Sequence, residues 1–232
     1  MKIMKFGGTS VGKPERMHQV YELITKDTES KIVVLSALSG TTNALVDISN
    51  SLSAGNKAEA KQKIDTLEAH YHAFVLDLLK TEALIAKGNA IVKEHFEFLN
   101  IITKISFSDA LNKDILAQGE LMSTKLFCCY LEQQGQDHLL LPALDFMVLD
   151  QNEEPNLQLI RSKLNTLLAA HTDKKIFITQ GYICKNVRGE VDNLKRGGSD
   201  YTASLVAAAC KASVCEIWTD IDGMHNNDPR IV

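Results

Sequence analysis

The stretch "KIMKFGGTSVGKPERM" (residues 2–17) decides how the N-terminal part of the chain folds. Its apolar start, "KIMKF" (2–6), predicts a short strand, and the glycine pair behind it predicts a tight turn. Pro14 fits the first turn of a helix, where its missing N–H would have no partner in any case. A strand that leads through glycines into a helix N-terminus is typical of anion sites in α/β proteins.

The same stretch nearly spells a phosphate-binding P-loop. Gly7, Gly12 and Lys13 fall in the register G-x-x-x-x-G-K, but Pro14 stands where a hydroxyl should bind magnesium. These eight residues alone leave three interpretations open: a damaged P-loop, an accidental match, or a different kind of phosphate site.

Further strand signals follow along the chain and alternate with helical patterns. They are "KIVVLSA" (31–37), "HLLLPAL" (138–144), "KIFITQGYI" (175–183) and "VCEIWTD" (214–220). Several are continuous apolar runs, which are typical of strands covered on both faces. The alternation predicts an α/β protein, with a mainly parallel sheet between helical layers.

A helical block is predicted at about residues 57–134. Apolar residues repeat there at helical spacing, with an interruption at Lys87-Gly88 and a last long helix, or two, ending at Gly135. Beyond it we predict a helix over 157–170 and a hairpin over 184–194, with Arg188-Gly189 at its tip.

Composition narrows the class of protein. The chain has 232 residues and a net charge of −4, which argues against broad binding to nucleic acid or anionic membranes. Five cysteines without a C-x-x-C pair suggest reduced thiols. Neither a signal peptide nor a run of 18 apolar residues is present, so we expect a cytoplasmic protein.

Three loops rich in glycine or hydroxyl groups each follow a strand. They are "KFGGTS" (5–10), "SALSGTTN" (36–43) and "KRGGSDYTA" (195–203). Because ligands of open α/β sheets collect at the carboxyl ends of the strands, we expect the loops to share one pocket. In the third loop, Arg196 can grip a carboxylate or phosphate, and Ser199 or Asp200 can cap the next helix. A basic turn before a capped helix is the alternative interpretation.

A fourth stretch, "WTDIDGMHNNDPR" (218–230), follows the last strand. Asp220 and Asp222 could hold magnesium there, and Arg230 could face a triphosphate. On composition alone, a solvated turn is the favoured explanation of these residues.

Together these motifs carry a resemblance. "KFGGTSV", "LSA…TTN", "GELMS" and "RGGSDYTA…WTDIDG…DPR" stand in the order and at the spacing of the aspartokinases, within the amino-acid kinase family. The chain resembles that family over essentially its whole length, which implies a three-layer αβα sandwich of the carbamate kinase-like type. In the family pattern the phosphate lysine precedes the glycines. The resemblance therefore selects Lys5, and the match to a P-loop at Lys13 is accidental.

The resemblance implies an enzyme that transfers the γ-phosphoryl group of ATP, with Mg²⁺, to the side-chain carboxylate of L-aspartate. The product is 4-phospho-L-aspartate, at the first step toward lysine, threonine and methionine. A carboxylate with a pKa of about 3.9 is already ionised at neutral pH, so no general base is needed. We expect aspartate and ATP as the partners, no nucleic acid, no membrane, no dedicated metal site, and a homo-oligomer.

The resemblance also assigns roles to residues. Lys5 and Asp200 are the expected catalytic residues, with Asp200 orienting Lys5 or the metal shell. The residues expected on the substrate side are Ser36, Thr42, Glu120, Arg196, Gly197, Gly198 and Ser199. Those expected on the nucleotide side are Lys5, Phe6, Gly7, Gly8, Thr219, Asp220, His225 and Arg230.

Three features depart from the family pattern. Lys195 stands where a glycine usually precedes the arginine, and His225 stands where a tyrosine is usual. Family members also continue into the rest of the nucleotide half and into paired ACT domains. We therefore expect residues 1–232 to be a catalytic domain truncated at its C-terminal end, without ACT domains, which folds alone but is poorly active.

Two other functions compete with this interpretation. One is a related kinase acting on glutamate, acetylglutamate, carbamate or UMP, against which "KRGGSD" and "GELMS" argue. The other is a non-catalytic binding or regulatory module that keeps the fold, against which the intact Lys5, Glu120, Arg196 and Asp220 argue.

Overall fold

A parallel sheet forms the centre of the molecule. The computed structural model of the chain describes residues 1–195 and 197–219. Its strands are β1 (Lys2–Phe6), β2 (Lys31–Leu35), β3 (Leu139–Leu140), β4 (Ile176–Gln180), β5 (Ile183–Lys185), β6 (Val191–Asn193) and β7 (Val214–Trp218). Five of them form one sheet in the order β3-β4-β2-β1-β7, and every pair in it is parallel. The prediction of a mainly parallel sheet is confirmed.

Helices cover both faces of this sheet. They are α1 (Gly8–Val11), α2 (Pro14–Thr25), α3 (Thr41–Ser53), α4 (Lys57–Leu78), α5 (Glu82–Ile102), α6 (Asp109–Gln133), α7 (Ala143–Phe146), α8 (Leu157–Ala169) and α9 (Gly198–Cys210). Alternate strand residues point to opposite faces: Phe6 packs in the core under α2–α6, whereas Ile32 packs in the core under α7–α9. The predicted three-layer sandwich is therefore confirmed. Within the described ranges, none of the helices is both long and apolar enough to cross a membrane.

The predicted helical block is present, with one correction. Gly88 does not interrupt it but lies inside α5, where an added Cβ would come within 2.9 Å of side-chain atoms of Val75 and Leu79. The glycine allows α4 and α5 to pack closely. The break between them lies at residues 79–81 instead, and the Thr81 hydroxyl accepts a hydrogen bond from the Leu84 N–H to cap α5. The last segment of the block is one continuous helix, α6.

Two predicted strands are shorter than expected by more than two residues. Only Leu139–Leu140 of the run 138–144 is a strand, because Pro142 cannot donate to a ladder and stands at the start of α7. The run 175–183 divides after Gln180, since Tyr182 adopts a left-handed conformation (φ 67°). Ile183–Lys185 then pairs antiparallel with Val191–Asn193, which confirms the predicted hairpin.

A buried lysine closes the end of the sheet opposite the glycine loops. Lys31 is fully buried, and its Nζ donates to the carbonyl oxygen of Ile24 at 2.7 Å and to a carboxylate oxygen of Asp27 at 2.8 Å. It thereby satisfies a carbonyl at the C-terminal end of α2, which has no partner within the helix. This contact ties α2 to the start of β2.

We expect Lys31→Ala to destabilise the fold by about 2 kcal/mol, because it leaves a buried carbonyl without a donor and opens a cavity. Urea unfolding of the variant measures this loss. The control is Lys93→Ala. Lys93 is 71% exposed, and its ion pair with Glu97 is long, at 3.7 Å; such a surface pair contributes little to the free energy of unfolding. Equal unfolding midpoints for the two variants would contradict the role given to Lys31.

Candidate active site

The three glycine- and hydroxyl-rich loops meet at one cavity of about 580 Å³, at the carboxyl ends of β1 and β2. Its lining residues come from all three loops, from α6 and from the turn after β4: Lys5, Gly8, Thr9, Ser36, Ala37, Leu38, Ser39, Gly40, Thr42, Glu120, Tyr182, Lys195, Gly197, Gly198, Ser199 and Asp200. The predicted shared pocket is confirmed.

Two glycines let the walls of the cavity approach one another. A Cβ at Gly8 would lie 3.0 Å from the carbonyl oxygen of Ala37, so the first two loops touch through their backbones. A Cβ at Gly181 would lie 2.5 Å from the Ser199 hydroxyl oxygen, which places the end of β4 directly against the start of α9. The contact at Gly181 leaves no room for a side chain, and the contact at Gly8 leaves very little.

Lys5 supplies a positive charge at the end of β1. Its side chain is only 11% exposed, and its Nζ lies 2.7 Å from Oδ1 of Asp200, whose own side chain is 53% exposed. The two residues are brought together from strand β1 and helix α9. The ion pair fixes the ammonium group at the cavity wall and leaves part of the carboxylate open to solvent.

Two helix N-termini border the cavity, and the first N–H of each is already paired: Thr41 donates to the Leu38 carbonyl oxygen and Gly198 to that of Lys195. Gly40 (φ 83°) precedes α3, and Gly197 (φ 76°) precedes α9; both line the cavity. Among the described residues, no side chain caps either helix. The prediction that Ser199 or Asp200 caps α9 is therefore wrong: the helix begins earlier, at Gly198, and both residues lie in its first turn. Uncapped N–H groups of this kind favour anions.

Glu120 supplies a carboxyl group to the cavity wall from α6. It lies on α6 with 3% exposure, and its Oε1 accepts a hydrogen bond of 3.3 Å from the Ala37 N–H. Ser123 donates to the carbonyl oxygen of Ser36 at 2.7 Å and ties this part of α6 to the second loop. Burial raises the pKa of Glu120 to about 8.

Tyr182 lines the cavity but was not among the residues predicted from the sequence. It has a left-handed backbone, its N–H bonds to the Thr202 hydroxyl at 3.0 Å, and its carbonyl oxygen accepts from the Leu194 N–H at 2.8 Å. The sequence contained an indication of this position, because residues that follow the carboxyl end of a parallel strand are candidates for a ligand site, and Tyr182 follows β4. The predicted strand ran to residue 183, which placed Tyr182 inside the strand rather than in the loop after it.

The remaining predicted residues fall into three groups. Phe6 is buried and stacks on Trp218, with ring centroids 6.0 Å apart, and Gly7 lies beside Lys5, where a Cβ would be 3.4 Å from Nζ. Thr219 borders a separate hollow of about 310 Å³ with Thr9 and Ser39, next to the main cavity. The predicted residues that lie outside the described part of the chain are Arg196, Asp220, Asp222, His225 and Arg230.

Comparison with known proteins identifies relatives over the whole chain. The model of the amino acid kinase family matches residues 1–232. The chain is 32% identical to the lysine-sensitive aspartokinase 3 of Escherichia coli, over 99% of this chain and 51% of that protein. It is 33% identical to a bifunctional aspartokinase/homoserine dehydrogenase of Haemophilus influenzae, over 100% of this chain and 29% of that protein. The chain thus spans about half, or less, of the length of these relatives.

Solved structures show the same architecture. The E. coli aspartokinase III structure in complex with aspartate and ADP superimposes with a TM-score of 0.86 at 30% identity, covering 100% of this chain and 52% of that one. The structure of the same enzyme with lysine and aspartate superimposes with a TM-score of 0.83. An aspartate kinase of Clostridium acetobutylicum, at 19% identity and a TM-score of 0.77, shares the fold.

Proposed function

This chain belongs to the amino acid kinase family, and on that premise we propose that it transfers the γ-phosphoryl group of ATP to the side-chain carboxylate of L-aspartate. The products are 4-phospho-L-aspartate and ADP. The observation that carries the proposal is the arrangement of charges around one cavity. Lys5 and two uncapped helix N-termini, which favour anions, line the same cavity as the buried carboxyl group of Glu120. The E. coli relative solved with aspartate and ADP supports it.

The layout suits an amino acid with two carboxylates. Glu120 is the partner for the ammonium group, because its side chain provides an acidic group on the wall of the cavity. The hydroxyls of Ser36 and Thr42 and the N-terminus of α3 are available to a carboxylate. Arg196, which the resemblance places on the substrate side and which can grip a carboxylate, lies in the sequence between Lys195 and Gly197, which both line the cavity. We assign it to the α-carboxylate of aspartate.

The phosphoryl transfer needs alignment and charge neutralisation more than proton transfer. The attacking carboxylate of aspartate is ionised at neutral pH, so it attacks the γ-phosphorus directly while the bond to the ADP oxygen breaks. Lys5 faces the negative charge that spreads over the phosphoryl oxygens, and Asp200 holds its ammonium group in place. Gly7 adds no side chain beside the Lys5 ammonium group, so a phosphate can approach the backbone there, and Gly8 lets the first loop pack against the second.

Magnesium fits this arrangement through the nucleotide. The described residues contain no cluster of three or more His, Cys, Asp or Glu residues that would hold a metal ion alone. Mg²⁺ bound to nucleotide needs only one or two protein carboxylates besides phosphates and waters. Asp200, half exposed at the cavity, is such a carboxylate. The metal would neutralise the negative charge of the phosphates.

The homo-oligomer expected from the family resemblance stays a prediction.

The proposal is tested by an assay of ADP release on the full-length protein that carries this chain, with hydroxylamine present to trap an acyl phosphate. We expect ADP and aspartyl hydroxamate to form in equal amounts. Glutamate, one methylene longer, should react about 10- to 200-fold less efficiently. Preference for glutamate would favour a related kinase, and nucleotide binding that raises the melting temperature without turnover would favour a binding module.

A further inference from the structure

The buried carboxyl group of Glu120 has one oxygen without a partner. Its Oε1 accepts one long hydrogen bond, 3.3 Å from the Ala37 N–H, and its Oε2 is buried without any hydrogen bond to the described residues. None of the ion pairs formed by those residues includes Glu120. An isolated ionised carboxylate in such a place is costly, because burial removes water and nothing replaces it.

Among the residues that the structure describes, the groups that face this carboxyl do not supply a free cation next to it. From α4, the buried Tyr71 faces it and shares a hydrogen bond of 3.0 Å with the Thr41 hydroxyl; from the turn after β4, Tyr182 faces it. Burial keeps the pKa of both phenols above the usual range, so both are neutral. Of the described residues, the charged groups elsewhere on the cavity wall are Lys5, Asp200 and the exposed Lys195.

Lys5 does not compensate a negative charge on Glu120, because its ammonium group forms an ion pair with Asp200 at 2.7 Å. On the hairpin side, Lys113 and Asp192 pair with each other at 2.6 Å and together carry no net charge. The described surroundings therefore favour the neutral form of Glu120.

We propose that Glu120 is protonated in the empty site and releases its proton when the ammonium group of the amino-acid substrate binds, so that substrate binding and proton release are coupled. This inference rests on the proposed function, which supplies the ammonium ligand. In the exchange, the O–H bond of the carboxyl group breaks, the proton passes to solvent, and the resulting carboxylate accepts hydrogen bonds from the substrate's ammonium group. Charge is conserved, since one cation enters the site and one leaves.

The coupling has a definite dependence on pH. Burial raises the pKa of Glu120 to about 8, so about nine-tenths of the empty protein carries this proton at pH 7. Because the ammonium group binds the ionised form, the affinity for aspartate should rise by about 50-fold from pH 6 to pH 8. The number of protons released should fall from nearly one per aspartate at pH 6 to about half at pH 8.

Isothermal titration calorimetry of the full-length protein with L-aspartate tests this, in buffers of different ionisation enthalpy. At pH 7, a plot of the observed binding enthalpy against the ionisation enthalpy of the buffer should have a slope that corresponds to about 0.9 proton released per aspartate bound. Succinate is the matched control ligand: it keeps both carboxylates but lacks the ammonium group, and should release none. Aspartate binding without proton release would overturn the inference and leave the proposed function intact.

A second measurement does not depend on aspartate binding. The infrared band of a protonated carboxyl group should be present in the ligand-free protein at pH 7, should titrate near pH 8, and should be absent in Glu120→Gln. The glutamine variant keeps the size of the side chain, and circular dichroism checks that it folds. Absence of the band in the native protein would overturn the inference. If the band is present but aspartate does not bind at all, it is the proposed function that fails.

Discussion

Replacing Lys5 by alanine is expected to lower kcat at least about 100-fold, the scale of losing one positioned charge-stabilising donor. The reason is its place at the end of β1, where its buried stem and its ion pair with Asp200 hold the ammonium group at the cavity wall. No other described lysine that lines the cavity has this anchoring, since Lys195 is exposed. Steady-state kinetics of the full-length protein measures the effect.

The control for this variant is Lys13→Ala. Lys13 occupies the lysine position of the apparent P-loop, but it is exposed, precedes Pro14 at the start of α2, and lines a separate hollow. Its replacement should leave kcat nearly unchanged. Loss of activity in Lys13→Ala with little change in Lys5→Ala would restore the P-loop interpretation.

Replacing Arg196 by alanine is expected to raise the KM for aspartate by about 30-fold or more, and the KM for ATP far less. Removing one partner of a buried charged contact costs on the order of 2–5 kcal/mol. Arg196 lies outside the described residues, so the prediction depends on its sequence position between two residues that line the cavity, Lys195 and Gly197. Kinetics with each substrate varied in turn provides the measurement.

Arg188→Ala is the matched control for this second variant. Arg188 is 74% exposed at the tip of the β5–β6 hairpin and pairs only with Glu190 among the described residues. It should change neither KM value. An equal increase of both KM values in Arg196→Ala would show that Arg196 serves the nucleotide rather than aspartate.

Local sequence patterns predicted most of the architecture because each depends on neighbouring residues. Continuous apolar runs located four of the five sheet strands to within a few residues, and Pro14 located the start of α2. Some predictions failed for local reasons, as at Pro142 and Tyr182, and one failed because a contact between helices decides. Gly88 resembles a helix breaker in sequence, yet it lies inside α5 because Val75 and Leu79 of the preceding segment need its space.

The sequence by itself predicted the family and the three loops at one rim, which are both confirmed. It also selected Lys5 rather than Lys13 as the phosphate lysine, which stays a prediction. Only the tertiary structure decided the pairing of Lys5 with Asp200, the place of Tyr182 in the wall, and the unpartnered oxygen of Glu120. Pattern and spacing report which residues share a strand, a loop or a helix face. The burial of a group and the compensation of its charge depend instead on which distant segments pack beside it. Glu120 on α6 shows this: its pKa is raised by burial, and its carboxyl group accepts a hydrogen bond from Ala37 in the second loop.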